Sequence, residues 1–162
     1  MGVGVGWMRE EMRASNVVFC KRGKIVDEYI TMLREVWHGN GYHGKFVSVP
    51  SNLFEPKPLR GTIPIWVGGN SDAALRRVAR LGDGWVPMGS IEPEELRAKM
   101  DRILKMAEDY GRGGDIGISC NHYFTPESLR DTQACLNTIE SYSSAGATQL
   151  IPQFECETAG EM

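Results

Sequence analysis

The stretch from residue 64 to 88 constrains the fold more than any other part of the chain. It opens with a short apolar run, Ile65-Trp66-Val67, which is typical of a strand buried on both faces. Gly68 and Gly69 follow, and glycine lets the backbone turn sharply or approach a ligand closely. A second apolar run, Trp85-Val86-Pro87, comes after a helical pattern. We therefore predict a strand–helix–strand unit with a glycine-rich first turn.

The helix inside this unit has recognisable ends. Asn70 or Ser71 can cap its start, and Gly82 is predicted to end it in the C′ role that glycine usually takes. Its apolar residues recur at helical spacing, and its arginines are expected on the opposite, outward side. The apolar set is Ala74, Leu75, Val78 and Leu81, and the arginines are Arg76, Arg77 and Arg80.

The glycine-rich turn has two interpretations. Free backbone N–H groups and the positive end of a helix dipole at the carboxyl end of a strand would stabilise a phosphate. Alternatively, Gly68 and Gly69 only serve a tight loop, and the residues alone favour this reading because a lone Gly-Gly pair is a weak signal.

Composition excludes several classes of protein. A chain of 162 residues has the length of a single domain and is long enough to bury a hydrophobic core. The net charge of -3, with both signs mixed throughout, predicts no nucleic-acid surface. No apolar stretch approaches membrane-spanning length, and the first residues lack the charged and then apolar regions of a signal peptide. The cysteines are not spaced like zinc ligands. We expect a reduced cytoplasmic protein that binds neither a membrane nor a metal. The cysteines are Cys20, Cys120, Cys135 and Cys156.

The remaining segments alternate between strand and helix patterns. Strands are predicted at 2–7, 46–49, 116–120 (continuing toward 124) and 149–151. Helices are predicted at 8–14, 22–37, 93–110 and from Pro126 to about residue 145, whereas the tail from Glu155 to Met162 has no periodicity and is expected to fray. This order implies an α/β protein with a parallel sheet, either doubly wound or a barrel. Five strands are too few for a complete eight-stranded barrel, which needs about 250 residues.

Residues 38–62 interrupt the alternation and form a predicted insertion after the first strand of the chain and its helices. The segment is rich in turns and prolines, and long loops of this kind are usually lids or packing insertions. His38 and His43 within it could act as ligands or acid–base groups, although lone loop histidines are more often plain surface residues.

Several motifs resemble the second half of bacterial-luciferase-like monooxygenases. The similarity covers nearly the whole length with order and spacing kept, and two motifs are most similar to the group of oxidoreductases that use the deazaflavin F420. Those two are Gly2-Val3-Gly4-Val5-Gly6-Trp7 and Phe54-Glu55-Pro56-Lys57-Pro58; the others are Arg9-Glu10-Glu11, Arg22-Gly23, Asp27-Glu28, Leu33-Arg34 with Trp37, Pro64 to Asn70, Ala74-Leu75-Arg76-Arg77 and Gly82-Asp83-Gly84-Trp85.

The resemblance implies a partial (β/α)8 TIM barrel in which residues 1–162 form a single incomplete domain with strands four to eight. Such a barrel holds F420, or alternatively FMN, at the carboxyl ends of its strands. The cofactor phosphate and tail would lie near the loop after the fifth strand, which now favours the phosphate interpretation. The implied cofactor-binding residues are Gly68, Gly69, Asn70 and Ser71 in that loop, with Gly4, Gly6, Trp7, Val86 and Pro87 flanking the cleft. Gly69→Val is predicted to weaken cofactor binding and leave the fold intact.

The chain also departs from the family pattern. Strands one to three, which in relatives carry the commonest catalytic side chains, are absent, so no catalytic residue is predicted. Some F420-dependent sugar-phosphate dehydrogenases place an acidic residue where this chain has Trp7, which argues against that substrate class. A half barrel would expose a sheet edge at each end, so the chain is expected to be a fragment of a longer product or to form a homodimer or higher oligomer.

Three functions follow as hypotheses. The first is an oxidoreductase or monooxygenase in which F420 or FMN performs hydride or oxygen chemistry on a small organic substrate. The second is a cofactor-binding or structural half barrel that has lost the chemistry. The third is a half-barrel enzyme that uses Gly68 and Gly69 to bind a phosphate ester without any flavin.

Overall fold

The fold is given by a computed structural model that describes residues 1–51, 54–114 and 116–154. The prediction for the tail, 155–162, lies outside these residues. The strands are β1 (Gly2–Val3), β2 (Tyr42–His43), β3 (Ser48–Val49), β4 (Trp66–Gly68), β5 (Gly84–Val86), β6 (Gly117–Phe124) and β7 (Gln149–Phe154). The helices are α1 (Arg9–Ala14), α2 (Arg22–Trp37), α3 (Asp72–Leu81), α4 (Pro93–Asp109), α5 (Pro126–Leu129) and α6 (Thr132–Ser144), with a 3-10 turn at Phe19–Lys21.

Five strands form one parallel sheet in the order β1-β4-β5-β6-β7, and helices separate them along the chain. The short β2 and β3 pair antiparallel in a hairpin of their own, within the predicted insertion. Within the described residues the sheet is open at both edges, as expected for a barrel that has only part of its strands. The predicted α/β class and partial barrel are therefore confirmed. No helix in the described ranges is long and apolar enough to cross a lipid bilayer.

The main core lies between the sheet and the helices that cover one of its faces. Val67, Trp85 and Ile118 stand in register on neighbouring strands and are buried. They belong to the same cluster as Leu75 on α3 and Leu96 on α4. Since each fully buried large apolar side chain contributes about 1.5–3 kcal/mol, this helix-covered face supplies most of the stability.

The opposite, inner face of the sheet is organised around Trp66. Its backbone pairs with Gly2 on one side and Gly84 on the other, and Gly84 pairs with Gly117, so three glycines share its row. The indole lies across two of them: a Cβ added at Gly84 would be 2.5 Å from Cδ2 of Trp66, and one at Gly117 would be 2.6 Å from Cη2. Both positions therefore need glycine because the indole occupies the space of their side chains.

Gly82 ends α3 as predicted, but its φ of -88° and ψ of 157° are extended, so it does not take the left-handed conformation that is usual for a C′ glycine. A Cβ at Gly82 would lie 3.1 Å from Cα of Val78 and 3.2 Å from Cγ2 of Val67. Close packing against the helix and the strand, rather than backbone conformation, favours glycine here.

Arg77 does not lie on an outward face, which corrects a prediction for α3. Only 7% of its surface is exposed, and its guanidinium forms an ion pair with Asp27 on α2. It also donates to the carbonyl of Gly23 at 3.1 Å. Because α2 packs along this side of α3, a position that helical periodicity assigns to solvent is buried between two helices.

The predicted helix from Pro126 divides into α5 and α6. The break lies at Asp131, whose side chain caps the second helix by accepting a hydrogen bond from the amide of Ala134 at 3.0 Å. The last strand is longer than predicted, since it pairs with β6 from Gln149 through Phe154.

The run at 46–49 is a strand only at its last two residues, because the amides before them are engaged elsewhere. Phe46 and Val47 donate to the Glu28 carboxylate at 2.6 and 2.9 Å. Burial acts to raise the pKa of Glu28, but these backbone hydrogen bonds outweigh it and the pKa is lowered. The first strand is likewise short, with residues 4–7 continuing as an irregular loop.

Arginines hold the carboxyl end of α3. Arg112 donates to the carbonyls of Val78 at 3.2 Å, Ala79 at 2.9 Å and Gly82 at 2.9 Å. Arg34 donates to the carbonyl of Leu81 at 2.9 Å. The carbonyl of Val78 also accepts from the amide of Gly82 at 2.9 Å, whereas the last carbonyls of a helix generally lack an intrahelical donor. Positive charge at this end also opposes the negative end of the helix dipole.

We expect Arg112→Ala to lower the free energy of unfolding by about 1–3 kcal/mol, because three carbonyls lose a charged donor. Urea unfolding followed by circular dichroism measures the change. Arg130→Ala, at an exposed arginine, is the matched control and is expected to change stability by less than about 0.5 kcal/mol. Equal midpoints for the two variants would contradict a role for Arg112 at this helix end.

Candidate functional site

The loops that follow β1, β4 and β5 meet at one rim, because the carboxyl ends of parallel strands lie at the same edge of a sheet. Two of these loops are directly connected. The amide of Gly69 donates to the carbonyl of Val86 at 3.1 Å, and the indole N–H of Trp85 donates to the carbonyl of Gly69 at 2.8 Å. The glycine turn is thus held in place by the neighbouring strand.

Asn70 joins the same two loops through its side chain. Its amide group donates to the carbonyl of Met88 at 2.9 Å, and its Oδ1 accepts from the amide of Met88 at 2.8 Å. Both ends of the side-chain amide are used within the protein. Asn70 therefore shapes the rim by fixing one loop against the other.

Ser71 caps α3, which settles the choice that the sequence left between Asn70 and Ser71. Its Oγ accepts from the amide of Ala74 at 3.2 Å. The first amides of a helix have no intrahelical acceptor, and the cap uses only that of Ala74. The amides of Asp72 and Ala73 thus remain for a ligand at the positive end of the helix dipole.

A cleft of about 260 Å³ opens beside this helix end. It brings the amino end of α2 against the loops that follow β1 and β4. Its walls are Val5, Arg22, Gly23, Gly68, Gly69, Ser71, Ala73, Ala74 and Arg77.

The two glycines of the turn play different parts in the cleft. Gly69 has φ of +122°, and a Cβ there would lie 3.1 Å from Cβ of Ala74, so any other residue is strained. Gly69→Val is therefore expected to cost stability as well as to affect binding, which makes it a poor test of the cleft. A Cβ at Gly68 would meet only the carbonyls of Val3 at 3.7 Å and Val86 at 3.9 Å, which are ordinary contacts. Gly68 is the position at which a side chain can enter the cleft without disturbing the backbone.

Arg22 lines the cleft and carries a buried donor that has no acceptor within the described residues. Its guanidinium stacks on the ring of Phe19, 3.8 Å from the centroid, and Nη1 donates to the carbonyl of Phe19 at 3.0 Å. Its Nε is buried and has no acceptor in the described part of the chain. A buried donor without a partner costs about 1–3 kcal/mol. Arg22 thus brings a positive charge and an unused donor to the wall of the cleft, and this donor set fits an anion such as a phosphate.

The carboxylate of Asp72 lies at the amino end of α3, but Arg102 on α4 forms an ion pair with it. Asp72 accepts a hydrogen bond from Arg102 at 2.8 Å, and this bond and charge hold the pKa of Asp72 below its usual value. Its negative charge is therefore shared with Arg102 on α4.

The structure brings some of the sequence-predicted residues together and distributes others along the rim. Gly68, Gly69 and Ser71 line the cleft, and Asn70 braces it. The loop after β1 holds Gly4, Gly6 and Trp7, whose side chain is 78% exposed, and β5 ends with Val86 followed by the buried Pro87.

The histidines of the insertion make local contacts. His38 Nδ1 lies 2.7 Å from the carbonyl of Arg34, and His43 Nδ1 lies 2.8 Å from Oγ of Ser48. Within residues 1–51, 54–114 and 116–154, no group of three or more His, Cys, Asp or Glu side chains is placed to hold a metal ion.

Sequence reasoning missed Arg22 and Arg77 as walls of the cleft. Arg22 begins a helix directly after a turn, and nothing in its neighbours shows where its guanidinium points. For Arg77, the signal lies in a pair of opposite charges 50 residues apart, Asp27 and Arg77, which periodicity within one helix cannot reveal.

Comparisons with known proteins agree with this arrangement. The model of the family described as luciferase-like monooxygenase matches residues 1–148. An uncharacterized protein of Mycobacterium tuberculosis is 40% identical over 114 residues, which cover 69% of this chain and 38% of that protein. The chain thus spans well under half the length of the curated relatives it matches.

Two solved structures show the same fold at low identity. An F420-dependent secondary alcohol dehydrogenase in complex with an F420-acetone adduct is 13% identical, with a TM-score of 0.80 over 99% of this chain and 65% of that chain. A riboflavin lyase with modified FMN and substrate riboflavin is 15% identical, with a TM-score of 0.62 over 80% of this chain and 36% of that chain. The solved relatives of this fold therefore include F420 and FMN proteins alike.

Proposed function

This chain belongs to the luciferase-like monooxygenase family, and on that premise we propose that it forms the cofactor-phosphate half of an oxidoreductase acting on a small organic substrate. The proposed cofactor is F420, with FMN as the alternative. Similarity of the motifs at 2–7 and 54–58 to the F420 group supports this order of preference.

The observation that carries the proposal is the buried, unpartnered Nε of Arg22 beside the amino end of α3. A guanidinium donor, two free helix amides and a glycine strand end together suit the phosphate group of an ester. A tight loop without a ligand would leave the Arg22 donor unexplained.

When bound, F420 or FMN supplies the hydride or oxygen chemistry, and the protein supplies binding, orientation and shielding from water. In this chain, the amides of Asp72 and Ala73 and the Nε of Arg22 would bind the phosphate. Asn70 would hold the loop after β4 in position through its two hydrogen bonds to the backbone of Met88. The small Gly68 leaves room on the inner face of the sheet for the body of the cofactor.

The test is a fluorescence titration of the chain with F420 and with FMN, comparing wild type with Gly68→Val. We expect the variant to lose at least about tenfold in affinity for the cofactor that binds, because a branched side chain enters the cleft. The fold should be kept, since the contacts of a Cβ at Gly68 are ordinary.

Gly113→Val is the matched control, because a Cβ there meets nothing within 4 Å and Gly113 does not line the cleft. It is expected to bind like wild type. A folded Gly68→Val protein with unchanged affinity would remove the phosphate assignment.

A cofactor-binding half barrel without catalysis is the second candidate, and the open sheet favours it. Both β1 and β7 present an unpaired edge within the described residues. Binding of F420 or FMN to this chain without any turnover of secondary alcohols would support this second function over the first.

The homodimer predicted from the open edges remains a prediction. Unpaired strand edges are templates for pairing with another chain, so a second copy could cover them. Native mass spectrometry at micromolar concentration tests it, and a monomer would contradict it.

A further inference from the structure

A second cleft adjoins the phosphate cleft along α3. Its walls come from α2, α3 and the residue after α4, and it has a volume of about 160 Å³. The two clefts share Ala73 and Arg77. The walls of the second are Asp27, Ala73, Arg76, Arg77, Arg80 and Tyr110.

This second cleft carries an excess of positive charge. Three guanidinium groups face a single carboxylate, that of Asp27. Arg77 and Arg80 both bind Asp27, the latter at 2.7 Å, whereas exposed Arg76 has no ion-pair partner among the described residues.

The nearby acids offset this positive charge only in part. Asp72 is paired with Arg102 at 2.8 Å. The carboxylate of Glu28 accepts hydrogen bonds from the backbone amides of Phe46 and Val47. Asp72 accepts its hydrogen bond from Arg102 and is attracted less strongly to Arg76, so it offsets the charge of Arg76 only in part, and Glu28 is held by backbone amides outside the cleft.

The positions along α3 form a path that starts at the phosphate site. Ala73 provides one of the free amides, and its methyl group is the small boundary between the clefts. Arg76 lies about one turn further along the helix and Arg80 about two, and residues three or four apart are neighbours on a helix surface. A ligand that leaves the phosphate site along α3 therefore meets Arg76 and then Arg80.

We propose that the second cleft binds a further anionic group of the same ligand, a carboxylate or second phosphate attached beyond the phosphate in the first cleft. Arg76 and Arg80 are the contacts, and Arg77 is a positioning residue that holds α2 against α3. The inference rests on the proposed function and deepens it. FMN ends at its phosphate, whereas F420 continues beyond its phosphate into a carboxylate-bearing tail, so this surface favours F420.

Simple anions test the site without a cofactor. Isothermal titration of the chain with inorganic phosphate, pyrophosphate and tripolyphosphate is made at constant ionic strength. We expect tripolyphosphate to bind wild type at least about tenfold more tightly than phosphate, because charge-assisted hydrogen bonds to the added groups are strong. In Arg76→Gln/Arg80→Gln this advantage should fall below about threefold, while the affinity for phosphate stays the same.

The control variant removes the same charge elsewhere. Lys105→Gln/Arg130→Gln changes two exposed residues that line neither cleft, and it should keep the wild-type preference for tripolyphosphate. Equal affinity of wild type for phosphate and tripolyphosphate would overturn the proposal. A preference that survives in Arg76→Gln/Arg80→Gln would also overturn it.

Titration with F420 and FMN separates this proposal from the proposed function. If the second site exists, Arg76→Gln/Arg80→Gln should lower the affinity for F420 at least about tenfold and the affinity for FMN less than about twofold. If neither cofactor binds but the tripolyphosphate preference is present and is lost in the double variant, the second anion site stands and the cofactor assignment falls. If F420 binds the double variant as tightly as wild type, the cofactor assignment stands and the second site falls.

Discussion

Gly84→Val is expected to lower the free energy of unfolding by about 3 kcal/mol or more, the high end of what overpacking costs. A Cβ at Gly84 would lie 2.5 Å from two ring carbons of Trp66, and the branched side chain needs still more room. Urea unfolding followed by circular dichroism measures the loss.

A second substitution shows whether the indole is the cause. Trp66→Ala removes the ring, so Gly84→Val should lower the free energy of unfolding much less in that background. The effects of the two substitutions are then expected to be non-additive in a double-mutant cycle. Gly113→Val controls for the general effect of replacing glycine by valine. A Gly84→Val protein that unfolds at the wild-type urea concentration would show that the inner face is not packed as described.

Arg77→Ala is expected to cost about 3 kcal/mol, the lower end of the range for breaking a buried ion pair. The substitution removes the buried partner of Asp27, the hydrogen bond to the carbonyl of Gly23 and the packing between α2 and α3. Asp27 keeps its second partner, Arg80, and this is why the loss stays at the lower end.

Arg80→Ala is the matched control, since it removes the other guanidinium from the same carboxylate. The Arg80 side chain is 47% exposed, and exposed ion pairs contribute about 1 kcal/mol or less. Chemical unfolding of both variants should therefore separate them by about 2 kcal/mol. Equal losses would mean that burial of Arg77 contributes nothing beyond its charge.

The order of strands and helices was predictable from local patterns. The apolar stripe of α2 predicted Arg22–Trp37, and these are the residues the helix occupies. Strand, glycine turn and helix at 65–81 were likewise recognisable, because caps and glycines act within a few residues of each other. The resemblance to luciferase-like monooxygenases, carried by short motifs along most of the chain, predicted the family that the comparisons show.

Contacts between distant elements were not predictable in this way. Trp66 faces glycines 18 and 51 residues further along, and Asn70 binds the backbone of Met88, 18 residues away. The buried pairing of Arg77 with Asp27 follows from the packing of α2 on α3, which helical periodicity does not encode. These contacts build the cleft, and so the sequence indicated where a ligand could bind more readily than what would hold it.

The indole of Trp66 also constrains the order in which substitutions can accumulate in this sheet. Gly84 and Gly117 can gain side chains only after the ring has been replaced by something smaller, whereas Trp66 itself can shrink in a single step. Mutational routes that widen or refill the inner face of the sheet must therefore pass through position 66 first. In a diversified library of this chain, variants at 84 or 117 should survive selection for folding mainly when they also carry a small residue at 66.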